Sequence, residues 1–157
     1  VRWNGQDICS TRIRALLAAG QLEEANCLLG HPHCLTGPVI PGQHLGHTLG
    51  IPTANLAIPA GLCCLPYGVY ATKVWVGETP YTAVTNVGTR PTVGGDHATV
   101  ESWLLHFTGD LYGHQIRVDF HLPLRPEQKF PSLAAMQAEI RRNAQQAEAY
   151  FAAQVKK

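Results

Sequence analysis

Apolar residues change their spacing twice along the chain, which divides it into three zones. Between residues 8 and 30 they recur every three or four positions, at Ile13, Leu16 and Leu17, then at Leu22, Ala25, Leu28 and Leu29. That spacing predicts two short helices. Ser10 or Thr11 suits the first N-cap, Gly20 ends that helix, and Gly30 followed by Pro32 closes the second. Residues 31 to 34 read as a linker. From 35 to 125 the chemistry is that of strands. Gly and Pro punctuate β-branched and aromatic runs at Gly68–Val76, Tyr81–Val87, Val100–Phe107 and Gln115–Leu124. The last alternates, with Ile116, Val118, Phe120, Leu122 and Leu124 on one face and Arg117, Asp119 and His121 on the other. Short strands separated by turns favour an antiparallel barrel or sandwich. From Ser132, a candidate N-cap, Leu133, Met136, Ile140, Ala144, Ala147 and Phe151 predict an amphipathic helix laid on the sheet.

Composition narrows the classes. The 157 residues suffice for one ordinary domain, 45% are hydrophobic and 15% charged, and the net charge is +1. No basic field points to nucleic acid, and no apolar run approaches the roughly 20 residues of a membrane helix. The opening Val1-Arg2-Trp3-Asn4 has neither an initiator Met nor a signal pattern, so the chain reads as cut from a longer one. The five cysteines include no C-x-x-C, which favours free thiols in a reducing, cytoplasmic compartment. His31, His33 and Cys34 lack a second ligand pair at zinc spacing and read as loop side chains.

Three segments carry candidate chemistry. Gly42, Gly46 and Gly50 allow tight bending and close approach of backbone N–H groups to an anion. A flexible hairpin and a phosphate loop both fit that spacing, which is neither a Walker A nor a Rossmann fingerprint. In Pro52-Thr53-Ala54-Asn55, an extended backbone points Thr53 and Asn55 the same way, two neutral oxygens suited to Mg²⁺; a simple Asn turn is the alternative. Glu101 shares a strand face with Trp103. If that face is the inner one, desolvation favours the protonated carboxyl and suits a general base, whereas a structural ion pair is the plain reading. In Arg125-Pro126-Glu127-Gln128-Lys129-Phe130, Arg125 can stack on or hydrogen-bond a planar ligand and Phe130 can cover a ring, unless the segment is only a helix-entry loop.

Together these pieces resemble the riboflavin kinase family. Gly42 to Asn55 resembles its glycine flap and Pro-Thr-Ala-Asn motif, and Thr85-Asn86-Val87-Gly88-Thr89-Arg90-Pro91-Thr92 its second flap. Val100 to Phe107 with Asp110-Leu111-Tyr112-Gly113 resembles the catalytic strand and turn, and Leu124 to Phe130 with the long helix resembles the family's ending. The similarity covers residues 34 to about 150. It implies a mostly β fold, a six-stranded antiparallel Greek-key barrel with a C-terminal helix, preceded by a short helical remnant. It also implies ATP:riboflavin phosphotransfer to give FMN and ADP, with Mg²⁺. Carried over by position, Glu101 is the base. Thr53 and Asn55 hold the metal and phosphates. Gly42, His47, Leu104, His106 and Tyr112 line the ATP site, and Arg125, Gln128 and Phe130 meet the flavin.

Ile8-Cys9-Ser10-Thr11-Arg12-Ile13-Arg14 resembles the closing nucleotide motif of the FMN adenylyltransferase module that precedes the kinase in bacterial bifunctional FAD synthetases. This divides the chain into a remnant of that module with a linker (1–33) and the kinase barrel (34–157). It implies the missing module as a partner, with no adenylyl transfer by this chain alone. Basic residues of the family's first flap are His44 and His47 here, and Trp103 replaces a histidine. Those departures motivate the competing reading, a flavin- or nucleotide-binding barrel with weakened catalysis or a docking role.

Overall fold

The computed structural model describes residues 2–3, 6–7, 10–40, 53–59, 65–92 and 95–155, and the side chains of these except 2–3, 6–7, 59, 89–92, 95–98 and 155. A two-residue ladder, β1 (Arg2–Trp3) with β2 (Gln6–Asp7), precedes helices α1 (Ser10–Ala18) and α2 (Leu22–Leu29). Gly20 and Gly30 end these helices in the left-handed region, both at φ +78°. Six strands follow: β3 (His33–Pro38), β4 (Thr53–Pro59), β5 (Gly68–Val76), β6 (Thr79–Thr92), β7 (Gly95–Leu104) and β8 (Gln115–Pro126). Helix α3 (Leu133–Val155) completes the chain, and the Ser132 hydroxyl caps it by accepting from the Ala135 N–H at 3.1 Å.

The strands form one antiparallel sheet in the order β3-β8-β5-β6-β7-β4. Strands β5, β6 and β7 follow one another and β8 returns beside β5, which is the Greek-key arrangement. A bridge from the Ile40 N–H to the Asn55 carbonyl, 2.9 Å, draws the edge strands together and nearly closes the barrel. Residues 33 and 34, expected in a linker, instead begin β3, opposite Phe120 and Asp119. Asn26 of α2 fixes that start: it donates to the Phe120 carbonyl at 2.8 Å and accepts from the His33 N–H at 2.7 Å.

The barrel is filled, not hollow. Leu56, Tyr70, Val74, Val87, Val100, Leu104, Ile116, Val118 and Phe120 pack inside, and Leu17, Leu22 and Ala25 of the helical hairpin join the same cluster. A second cluster lies outside the barrel, where Ile140, Ala147 and Phe151 of α3 cover Val69, Ala71, Val84 and Trp103. Strand β8 serves both clusters. The pairing steps from Thr72–Phe120 to Ala71–Leu122, a bulge that passes His121. Ile116, Val118 and Phe120 therefore point inward, while Leu122 and Leu124 turn to α3. The single apolar face expected for all five is split by that bulge.

Inside the barrel three hydroxyls form a buried chain across β5, β6 and β7: Thr72 to Thr85 at 2.7 Å, and Thr85 to Ser102 at 2.8 Å. Thr85→Val keeps the shape and removes both bonds, so we expect urea unfolding to report a loss of about 1–3 kcal/mol; unchanged stability would remove the chain from the fold's determinants. His121, edge-on to Phe151 at 5.0 Å, has its pKa pushed below the ordinary value by burial, with Lys73 assisting and Asp119 opposing. The unfolded chain then binds the proton more readily, so this contribution is complete above about pH 6.5 and is lost as the pH falls below it. His121→Phe should flatten that part of the pH–stability curve, and an unaltered slope would reject the assignment.

Candidate active site

The site is built on the outer face of β7. Across the ladder Glu101 stands opposite Asn55 of β4 on one side and Asn86 of β6 on the other. Directly paired residues share a face, so the three side chains form a row. One step along, Thr53, Trp103 and Val84 form a second row. The intervening Val100, Ser102 and Leu104 point into the core. The sequence left the orientation of Glu101 open between an inner and an outer face; it is the outer one. Glu101 is nonetheless only 8% exposed, and Asn55 only 3%. Helix α3 and residues 125–130 wall in this part of the sheet.

Between that wall and the strands lies a cavity of about 560 Å³, lined by Asn86, Glu101, Trp103, Arg125, Glu127, Gln128, Lys129, Phe130, Met136 and Ile140. The Glu101 carboxylate and the Asn86 amide supply a polar end. Arg125 and Phe130 supply a flat one, with the guanidinium carbon 5.2 Å from the ring centroid. Arg125 Nε donates to Asn143 Oδ1 at 3.0 Å, Nη1 donates to the Pro126 carbonyl at 3.3 Å, and Glu139 lies 3.6 Å from Nε. Burial lowers the Arg125 pKa, Glu139 raises it and Arg142 lowers it further, yet a guanidinium keeps its charge under all ordinary conditions. Gly68 lets β5 approach this strand: a Cβ there would meet the Arg125 carbonyl oxygen at 2.6 Å. The Trp103 indole N–H is buried without a hydrogen-bond partner among the described residues, a polar group held at a cost.

Of the residues proposed from sequence, Glu101, Arg125, Gln128 and Phe130 meet in this cavity, and Thr53 and Asn55 adjoin it on the same face of the sheet. Leu104, His106 and Tyr112 do not line it. Leu104 is fully buried inside the barrel. His106 adopts a left-handed backbone at φ 60° and its Nε2 lies 2.8 Å from Glu148 Oε1 on α3. Tyr112 is exposed in the turn whose N–H donates to Asp110 Oδ1 at 2.9 Å. Gly42 and His47, with His44, lie outside the described residues. Asn86 and Trp103 are cavity residues to which sequence reasoning gave no role. An amide within Val84-Thr85-Asn86-Val87 was the available signal, since Asn is depleted in strands.

This donor set fits a hard cation. Among the described residues no cluster of three His, Cys, Asp or Glu side chains stands ready for a metal. Thr53 and Asn55 instead offer neutral oxygens from alternate positions of one strand, the kind of partial shell that Mg²⁺ completes with phosphate and water. The Glu101 carboxylate lies one strand away, directly opposite Asn55.

The flavokinase family, described as riboflavin kinase, matches residues 29–151. The bifunctional riboflavin kinase/FMN adenylyltransferase of Escherichia coli K12 is 42% identical over 148 residues, which is 94% of this chain and 47% of that protein. The Bacillus subtilis protein of the same description is 35% identical over 147 residues, 92% of this chain and 46% of its own length. The chain thus spans about half the length of the curated relatives it matches. Among solved structures, one described as a macrolide-efflux protein from Streptococcus pneumoniae superposes with TM-score 0.81 at 29% identity, over 94% of this chain and 49% of its own. The riboflavin kinase of Trypanosoma brucei shares the fold at TM-score 0.55 and 23% identity, over 75% of this chain and 78% of its own. With the match running from the end of α2 to the last turns of α3, the chain belongs to the riboflavin kinase family, whose reaction is the phosphorylation of riboflavin to FMN.

Proposed function

We propose that this chain transfers the γ-phosphoryl group of ATP to the ribityl 5′-hydroxyl of riboflavin, with Glu101 as the base. The observation that carries this reading is the row Asn55–Glu101–Asn86, one end of which adjoins the oxygen donors of Thr53 while the other opens on the Arg125–Phe130 cavity. The flavin ring enters against Arg125, Gln128 and Phe130, and its ribityl chain runs toward Glu101. The Glu101 carboxylate takes the hydroxyl proton as the oxygen bonds to the γ-phosphorus, and the bond to the β–γ bridging oxygen breaks to release ADP. Thr53 and Asn55 would hold Mg²⁺, which neutralises phosphate charge. Alignment and charge balance supply most of the rate in such transfers.

The nucleotide side draws on Gly42, His47, Thr53 and Asn55, with His106 and Tyr112 at the far end of β7 and Leu104 supporting them from within the core. Residues 1–33 are proposed as the tail of the adenylyltransferase module found in the bifunctional relatives, and 34–157 as the kinase unit. No described helix is long and apolar enough to cross a membrane. A cytoplasmic location is part of this proposal, supported by the free thiols of Cys27 and Cys34, which suit a reducing compartment.

Glu101→Gln should lower FMN formation by about 10²–10⁴-fold while the thermal midpoint holds. Turnover equal to that of the unmodified chain, followed by chromatography of riboflavin with ATP and Mg²⁺, would take Glu101 out of the mechanism. Thr53→Val, which loses one oxygen and little volume, should raise the Mg²⁺ concentration for half-maximal rate by about ten-fold or more. An unchanged magnesium curve would move the metal away from β4.

A further inference from the structure

Helix α3 presents Met136, Ile140, Ala144, Ala147 and Phe151 to the outside of the barrel, and one polar residue interrupts that surface. Asn143 is 1% exposed, at a position where the stripe calls for an apolar side chain. Burying an amide there is costly unless its atoms are satisfied. Both are. Nδ2 donates to Gln146 Oε1 at 2.9 Å, which fixes the amide's orientation, and Oδ1 accepts from Arg125 Nε at 3.0 Å. The same guanidinium spends Nη1 on the Pro126 carbonyl, and its carbon lies 5.2 Å from the Phe130 ring centroid. No described residue accepts from Nη2, so this is the amino group left for a ligand in the cavity that Arg125 and Phe130 line.

We infer that Asn143 is a positioning residue that selects the flavin. By accepting from Nε, it fixes the guanidinium beside Phe130 and directs the remaining N–H of Nη2 at a carbonyl oxygen of the isoalloxazine ring. Glu139, at 3.6 Å from Nε, adds charge but no hydrogen bond, so Asn143 is the side chain that, with the longer bond to the Pro126 carbonyl, sets the direction of the fork. The inference rests on the reading of this cavity as the flavin site. It adds a residue that touches no substrate and acts on one substrate only, because the ATP side lies across the Glu101 row.

The test is a comparison of Asn143→Leu, which fills the same space without an acceptor, with Asn143→Asp, which restores the acceptor. KM for riboflavin, KM for ATP and kcat are measured together, and riboflavin binding is followed independently by flavin fluorescence. Asn143→Leu should raise both KM and Kd for riboflavin about ten-fold, leaving KM for ATP and kcat within about two-fold. Asn143→Asp should return the riboflavin values to within about three-fold of the original. An unchanged riboflavin Kd in Asn143→Leu, an equal rise in both KM values, or no recovery in Asn143→Asp would each overturn the inference. An unmodified chain that binds riboflavin without making FMN overturns the kinase reading alone, and the Kd series still decides the role of Asn143. A chain that binds no riboflavin overturns both.

Discussion

The register between β4, β7 and β6 governs both the core and the site. Side chains alternate across a sheet with a period of two, so a slip of one residue would turn Glu101, Asn55 and Asn86 into the barrel and push Val100 and Leu56 out. The hydrogen-bonded pair of Thr85 and Ser102 sits directly behind that row, on the inner face, and secures the β6–β7 pairing from within. Folding and chemistry therefore rest on one ladder read from its two sides. The apolar inner face excludes any other register, and the outer face inherits its row of carboxylate and amides as a result.

A barrel of this size fills its interior with side chains, which leaves no room there for a ligand. The cavity is instead formed outside the sheet, where α3 and residues 125–130 stand off from β6 and β7. This second layer explains why Glu101 is buried although it points away from the core. It also explains why buried polar groups gather here. The Trp103 N–H lacks a described acceptor and Asn143 breaks an apolar stripe, both within or beside the same cavity. Local departures from good packing concentrate where a ligand is to be received.

Much of this was legible in the chain. The three- and four-residue spacing of α1, α2 and α3 and the run Gly68–Val76 gave elements that match the structure closely, because each is decided by local pattern. The face of Glu101 was not legible. β7 is covered on one side by the core and on the other by α3, so both of its faces carry apolar residues and the alternation that would orient it is absent. The bulge at His121 was equally silent, since it depends on pairing with β5 some fifty residues earlier. Glu101, Arg125 and Phe130 stand out as charged or aromatic residues in an otherwise mild sequence, and Gln128 enters only through the family resemblance. Asn86 and Asn143 went unassigned because their meaning lies in partners distant along the chain, Glu101 for one and Arg125 for the other.

The convergence of base and flavin on one alcohol is the central claim, and a crystal structure with riboflavin and a non-hydrolysable ATP analogue tests it most directly. The account predicts the isoalloxazine ring beside Phe130 with a carbonyl oxygen at Nη2 of Arg125, and the ribityl 5′-oxygen within hydrogen-bond distance of the Glu101 carboxylate. A flavin bound elsewhere, or one whose ribityl chain points away from β7, would contradict it.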